Sequence, residues 1–256
     1  MNHVEWSILC PAFMAGLLVL ATHVPLGIEV LKRGIIFIDL AIAQTAGLGA
    51  LAAMLYWPDA AEGGHELMVQ SCSLAAALLG ALLLTWAEKR FPDIQEALIG
   101  CMFVLAASLA LLLLGQNPHG GEHMKDLLAG QILWVSSHQL TGVALLYAVL
   151  LAMWFAFKAR MGRSGFYVIF ALAVTASVQL VGVYLVFASL IMPALAARKC
   201  SRPLMAGYLT GAFGLAAGLI ISSMLDYATG PTIVCTLAAA SAITPLFLRI
   251  TKGGTV

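Results

Sequence analysis

Charged side chains are scarce in this chain of 256 residues: Lys, Arg, Asp and Glu together make up 10%, against roughly 25% in soluble domains. A soluble enzyme is excluded on that ground, and so is a nucleic-acid-binding domain. The five cysteines (Cys10, Cys72, Cys101, Cys200 and Cys235) are odd in number and widely separated, with no C-x-x-C among them. Neither a secreted disulfide scaffold nor a zinc knuckle is supported, and the thiols read as small packing residues. No G-x-x-x-x-G-K-[ST] is present, so the chain has no P-loop for a nucleotide. His65-Glu66 is followed by Leu67-Met68-Val69, which is no H-E-x-x-H, and no G-x-S-x-G occurs; an intramembrane hydrolase would need such a set. Internal repeats, low-complexity tracts and long loops are missing too, so residues 1–256 read as a single transmembrane domain.

What fills the chain is apolar surface. Hydrophobic residues make up 62% and the mean hydropathy is +0.98. At about 20 residues per crossing, this suffices for roughly eight spans. The expected class is an all-α polytopic membrane protein with eight or nine transmembrane helices. The few charges are sorted. Twelve of the 13 basic residues fall into five clusters: Lys32–Arg33, Lys89–Arg90, Lys158–Arg160–Arg163, Arg198–Lys199–Arg202 and Arg249–Lys252. The intervening loops carry Asp59, Glu62, Glu66, Glu122, Asp126 and Asp226 instead. Short basic loops remain cytoplasmic, so the N-terminus is expected outside and the C-terminus inside. Residues 1–6 hold no Lys or Arg, and no cleavable signal peptide is expected.

Read along the chain, spans are expected over 7–26, 35–57, 67–86, 94–114, 140–157, 204–225 and 232–248. Residues 127–137 are apolar but short and read as re-entrant or interfacial. Residues 165–197 lie between two basic clusters and must cross out and back. They read as two short spans broken near Gln179–Gly182, an arrangement tolerated only where protein or a water-filled cavity covers the break. Gly207-x-x-x-Gly211 and Gly214-x-x-x-Gly218 match the spacing that lets membrane helices approach closely, either within one chain or across a dimer seam.

Asp39 is the ionisable group that stands out, four residues into the second expected span. A carboxylate at membrane depth is a functional-site hypothesis by default; the alternative is a helix-start residue paired with Lys32 or Arg33. Gln44 and Thr45 follow, and His23 lies in the first span, so the group could line a polar path. Equally, His23 fits ordinary hydrogen-bonded packing. The remaining histidines (His3, His65, His119, His123 and His138) lie on or near the expected outer side. The segment His119-Gly120-Gly121-Glu122-His123 has groups suited to zinc, or is simply solvated. With enzymatic motifs missing, what remains is a protein that lets a solute cross.

Three stretches resemble the permease subunits of zinc/manganese ABC importers. Gly27 to Arg33, followed by Asp39 and Gly47/Gly49, is similar to that family's opening, where Gly, then Leu-Arg, then Gly-Asp-Ala-Leu-Ser-His-Ala precede a Gly. Val181-Gly182-Val183-Tyr184-Leu185-Val186-Phe187-Ala188-Ser189-Leu190-Ile191-Met192-Pro193-Ala194-Leu195-Ala196-Ala197 resembles its Val-Gly-x-Leu-Leu-Val-x-Ala-Leu-Leu-x-x-Pro-Ala-x-x-Ala. Ser222/Ser223, Asp226, Gly230-Pro231 and Ile233-Val234 resemble its Ser-x-x-x-Asp-x-Pro-x-Gly-Pro-x-Ile-Val. A weaker likeness covers Leu127-Leu128-Ala129-Gly130 with Val135-Ser136.

The resemblance implies a homodimeric permease in a cell inner membrane, carrying a divalent metal ion inward. It implies two ATPase subunits that hold ATP and magnesium, an extracytoplasmic metal-binding protein, and no cofactor on this chain. Asp39, Gln44 and His23 would line the path, with Asp39 touching the metal, and Gly182 and Pro193 would be pivots of the broken segment. Two departures stand out. Where the family places carboxylate and imidazole at i, i+4, Asp39 is followed at i+4 by Ala43, with Gln44 beside it; only a π-bulge would rotate Gln44 into that place. The family's short cytoplasmic coupling helix is replaced by Phe157-Lys158-Ala159-Arg160-Met161-Gly162-Arg163-Ser164-Gly165, shorter and basic. Lys158, Arg160 and Arg163 are either its ATPase contact or a plain positive-inside anchor. The competing class is a stand-alone secondary transporter or channel with Asp39 as its proton or ion site.

Overall fold

The structure, a computed structural model, describes residues 6–56, 66–114, 132–157 and 162–252. Among these residues it contains nine α-helices and no strand. They are α1 (Trp6–Arg33), α2 (Ile38–Tyr56), α3 (Glu66–Arg90), α4 (Gln95–Leu114), α5 (Ser137–Phe157), α6 (Arg163–Val181), α7 (Val183–Ala197), α8 (Pro203–Leu225) and α9 (Thr229–Lys252). Six of them, α1, α2, α3, α5, α6 and α8, are long and apolar enough to cross a membrane. Shorter apolar helical stretches cover Leu98–Ala110, Val183–Ala197 and Thr229–Thr244. Of the expected re-entrant segment, the described part is the 3-10 turn Ile132–Trp134; the rest lies outside the described residues.

The chain divides into two compact units. The first contains α1, most of α5, α7, α8 and α9; the second contains α2, α3, α4, the end of α5 and α6.

In the first unit, the small residues read from sequence are taken up by helix packing. A Cβ on Gly27 of α1 would collide with the carbonyl oxygen of Leu190 on α7. Gly207 and Gly211 of α8 receive Val24 and Leu20 of α1, whose side chains would lie 2.7 and 2.6 Å from added Cβ atoms. Gly214 and Gly218 face the α9 backbone at Leu237 and Ile233, and the Thr236 hydroxyl crosses over to donate to the Gly214 carbonyl at 2.7 Å. Both glycine pairs are thus used within the unit. In the second unit, Gly49 of α2 lies against the Cys72 carbonyl and Ala76 of α3. Leu51 of α2 and Ala110 of α4 pack together with Leu48, Leu55 and Leu113.

Several helix ends differ from the expected spans: α2 starts at Ile38 rather than residue 35, α3 runs to Arg90 rather than 86, and α9 covers Thr229–Lys252 rather than 232–248. The first span was expected over 7–26 with the basic pair Lys32–Arg33 at its end, and α1 is continuous through Pro25 and Gly27 to that pair. Proline has no N–H to offer the carbonyl four residues back, which here is that of Ala21. The Tyr208 hydroxyl of α8 donates to that carbonyl at 2.9 Å. The helix therefore continues because a neighbour closes the bond that Pro25 leaves open, the compensation that lets membrane helices contain proline.

The expected break near Gln179–Gly182 falls at Gly182, between α6 and α7, with φ 79° and ψ 162°. Those angles belong to a region open essentially to glycine alone. At Pro193 no break falls: α7 is continuous through it.

Tyr208→Phe is expected to destabilise the protein by about 1 kcal/mol, the net worth of a typical hydrogen bond. In a Pro25→Ala background, where residue 25 regains its N–H, the same substitution should have almost no effect. Thermal unfolding of the four detergent-solubilised variants checks this, and additive effects would refute the assignment.

Candidate translocation-path residues

α2 starts after a turn at Gly34, whose φ is +72° with nothing near its missing Cβ. The Ile38 N–H then reaches the Ile35 carbonyl at 3.3 Å, and the Phe37 carbonyl accepts the Ala41 N–H at 3.2 Å. Asp39 is consequently the second residue of the helix, not the fifth of a span. Its carboxylate lies beside the amide groups of Asp39 itself and Leu40, at the electropositive end of α2. Asp39 is only 1% exposed, and neither carboxylate oxygen has a hydrogen-bond partner among the described residues. Arg33 instead bonds Glu29, one turn back on α1, with Nε–Oε1 at 3.2 Å.

Gln44 is buried as well. α2 is a regular α-helix throughout, with no π-bulge, so Gln44 stands about 140° around the helix from Asp39. Ala43, at i+4, holds the position over the carboxylate. Thr45 spends its hydroxyl on the Ala41 carbonyl at 2.7 Å. No second side chain of α2 therefore joins Asp39 on its own face one turn on.

His23 belongs to the first unit, Asp39 and Gln44 to the second. The His23 ring is fully buried. Its Nδ1 lies 2.9 Å from the Val19 carbonyl and 3.0 Å from the Thr22 hydroxyl. A carbonyl only accepts, so Nδ1 carries the proton, and Nε2 is left as a bare acceptor with no partner among the described residues. Val19, one turn earlier on the same face, helps line a small apolar cavity together with Leu20, Val181, Leu185 and Ser189. The Gly182 break lies between Val181 of α6 and the two α7 residues that line it, Leu185 and Ser189.

Arg163 is the first residue of α6. Lys158 and Arg160 lie outside the described residues, as do His3, His65, His119 and His123; His138 is exposed. Among the described residues, no three His, Cys, Asp or Glu side chains converge to hold a metal ion.

Sequence reading passed over two residues at the start of α4. The Glu96 carboxylate accepts the Phe37 N–H at 3.3 Å, and the Gln95 amide donates to the Tyr167 hydroxyl of α6 at 2.6 Å. Their sequence signal was slight: an acidic and an amide residue in the first turn after Pro92.

The model of the ABC 3 transport family matches residues 5–162 and 156–247, nearly the whole length. The chain belongs to the ABC 3 transport family. It is a multi-pass membrane protein, the permease subunit of an ABC importer, and ABC-importer permeases of this kind lie in the inner membrane. It is 21% identical over 252 residues to the high-affinity zinc uptake system membrane protein ZnuB of Haemophilus influenzae, covering 90% of this chain and 93% of that one. Among solved structures, PsaBC from Streptococcus pneumoniae in complex with Fab is similar, with a TM-score of 0.74, 20% identity and 96% of both chains covered. An inward-facing structure of a protein named a metal-chelate type ABC transporter gives a TM-score of 0.66 at 17% identity, covering 95% of this chain and 85% of that one. At these identities the two structures bear on the fold.

An unpaired buried carboxylate costs stability and is retained for another reason. Asp39→Asn in this ABC 3 permease is therefore expected to leave the unfolding temperature of the solubilised protein unchanged or to raise it. A drop of several degrees would show that the charge is compensated after all.

Proposed function

We propose that this permease carries a divalent metal ion, zinc or manganese, into the cell, driven by ATP hydrolysis on separate ATPase subunits. A homodimer forms the path, and an extracytoplasmic metal-binding protein delivers the ion to it. The N-terminus lies outside and the basic loops inside, where Lys158, Arg160 and Arg163 meet the ATPase. ATP and magnesium reside on that partner, and this chain binds no cofactor of its own. Alternating access comes from rocking of the two protomers as the ATPases close and open, with Gly182, at the break between α6 and α7, and Pro193, within the continuous α7, as pivots.

The observation that carries the reading is Asp39. In a chain of the ABC 3 family, a carboxylate buried on a membrane-spanning helix with both oxygens unpaired is a ready oxygen ligand for a passing cation. Family membership supports the ATP-driven mechanism, and the zinc-uptake relative supports the class of cargo. Gln44 is a neutral amide and a weak oxygen donor, while His23 has an Nε2 with no hydrogen-bond partner among the described residues and, as an imidazole, is a ligand that zinc favours. A path must bind its ion weakly enough to release it, and the Gln44 amide suits that need.

The test is a reconstituted complex of permease, ATPase and binding protein in liposomes. Zinc or manganese is expected to stimulate ATP hydrolysis, and Asp39→Ala should lower uptake at least about tenfold, the lower end of what losing even an outer partner of a metal ligand costs. Unchanged uptake in that variant would remove Asp39 from the path. Uptake that collapses with a proton uncoupler while ATP is maintained would overturn the ATP-driven mechanism in favour of a secondary transporter.

A further inference from the structure

In the second unit, two adjacent residues of α4 each reach a different helix. Gln95 Nε2 donates to the Tyr167 hydroxyl, 2.6 Å away on the second turn of α6. Glu96 Oε1 accepts the Phe37 N–H at 3.3 Å. Phe37 is the point where α2 is held, because its carbonyl takes the Ala41 N–H, and Asp39 follows two residues later. The second Glu96 oxygen is buried and has no hydrogen-bond partner among the described residues.

The α6 end of this chain of bonds is stiff. Tyr167 is buried and meets Phe166 edge-on, with centroids 5.6 Å apart. Phe166 packs in turn on Trp154 of α5 at 6.0 Å and on Phe170 at 5.5 Å. A buried phenol needs a partner for its hydroxyl, and the short Gln95 bond supplies one. The Gln95–Tyr167 bond thus ties the second turn of α6, which begins at Arg163, to the start of α4. Because Gln95 and Glu96 are neighbours on one helical turn, what moves one moves the other.

We propose that Tyr167, Gln95, Glu96 and Phe37 form a hydrogen-bonded relay that couples the start of α6, where the ATPase subunit bears on Arg163, to the start of α2 and the position of Asp39. The relay rests on the proposed reading of Arg163 as an ATPase contact and of Asp39 as a path residue. Tyr167, Gln95 and Glu96 are positioning residues: none need touch the ion. A spatial chain alone is not evidence of coupling, so the test must read coupling directly.

The experiment uses the complete complex in liposomes, with radiolabelled zinc and manganese salts as probes, and reads metal ions moved per ATP hydrolysed. Tyr167→Phe and Gln95→Leu are each expected to lower that ratio about two- to tenfold, the weight of one hydrogen bond, while the complex still purifies whole. The double variant should be no worse than Tyr167→Phe alone, since Gln95→Leu removes a bond that Tyr167→Phe has already broken. Glu96→Gln, whose amide oxygen still accepts the Phe37 N–H, should stay near the wild-type ratio, and Glu96→Ala should fall.

A merely structural role would lower yield or thermal stability and leave the ratio intact; that outcome overturns the relay. So do additive losses in the double variant, or Glu96→Gln failing as badly as Glu96→Ala. If the wild-type complex couples zinc or manganese movement to ATP and Tyr167→Phe leaves the ratio unchanged, the relay alone falls. If no ATPase subunit associates with the wild-type chain, the underlying reading falls and takes the relay with it.

Discussion

Every backbone N–H and C=O in so apolar a chain has to be closed by the protein itself, because the surroundings offer no water to do it. Helices meet that demand along their length, and hydroxyls on them turn back to their own backbone. Thr45, Thr85, Ser177 and Thr210 each donate to the carbonyl four residues earlier. Wherever the ladder opens, another element has to close it. At Pro25 the Tyr208 hydroxyl does so from α8; at the turn after α8, Ser222 donates to the Tyr227 carbonyl at 2.7 Å and lies 2.8 Å from the Thr229 hydroxyl. The start of α2 is held in the same way, by Glu96 on the Phe37 N–H. Among the described residues, both oxygens of Asp39, the Nε2 of His23 and the second oxygen of Glu96 are among the buried side-chain atoms left without a hydrogen-bond partner.

Much of the helical plan was legible because charge punctuates it. Arg33 and Arg90 end α1 and α3, and the break between α6 and α7 falls at Gly182, inside the interval read from the sequence. α1 continues past residue 26 to Lys32–Arg33 with the carbonyl that Pro25 frees closed by the Tyr208 hydroxyl. Tyr208 lies far along the chain from Ala21, and no local pattern announces it.

The candidate site was legible in one residue and illegible in its support. Asp39 announces itself as a carboxylate among apolar neighbours. Whether it was paired could not be read, since Lys32, Arg33 and Glu29 are all within reach along the sequence, and only the fold shows Arg33 turned to Glu29. Glu96 and Gln95 bond partners 59 and 72 residues away. Single hydrogen bonds at such separations leave no periodic trace. A helix that is apolar all round has no polar stripe to reveal which side faces the core, so the usual signal of burial was missing as well.

The same logic bears on how a second copy could be met. Gly207, Gly211, Gly214 and Gly218 have the spacing associated with helix dimers, yet each is already filled by Val24, Leu20, Leu237 or Ile233 of its own unit. Small residues promote association because they let one more backbone come close, and here that place is occupied. What α8 exposes instead is Met205, Leu209, Phe213, Ile220 and Met224, broad side chains that keep a neighbouring backbone at a distance. Glycine-mediated contact with a further helix at the four glycines of α8 is therefore closed.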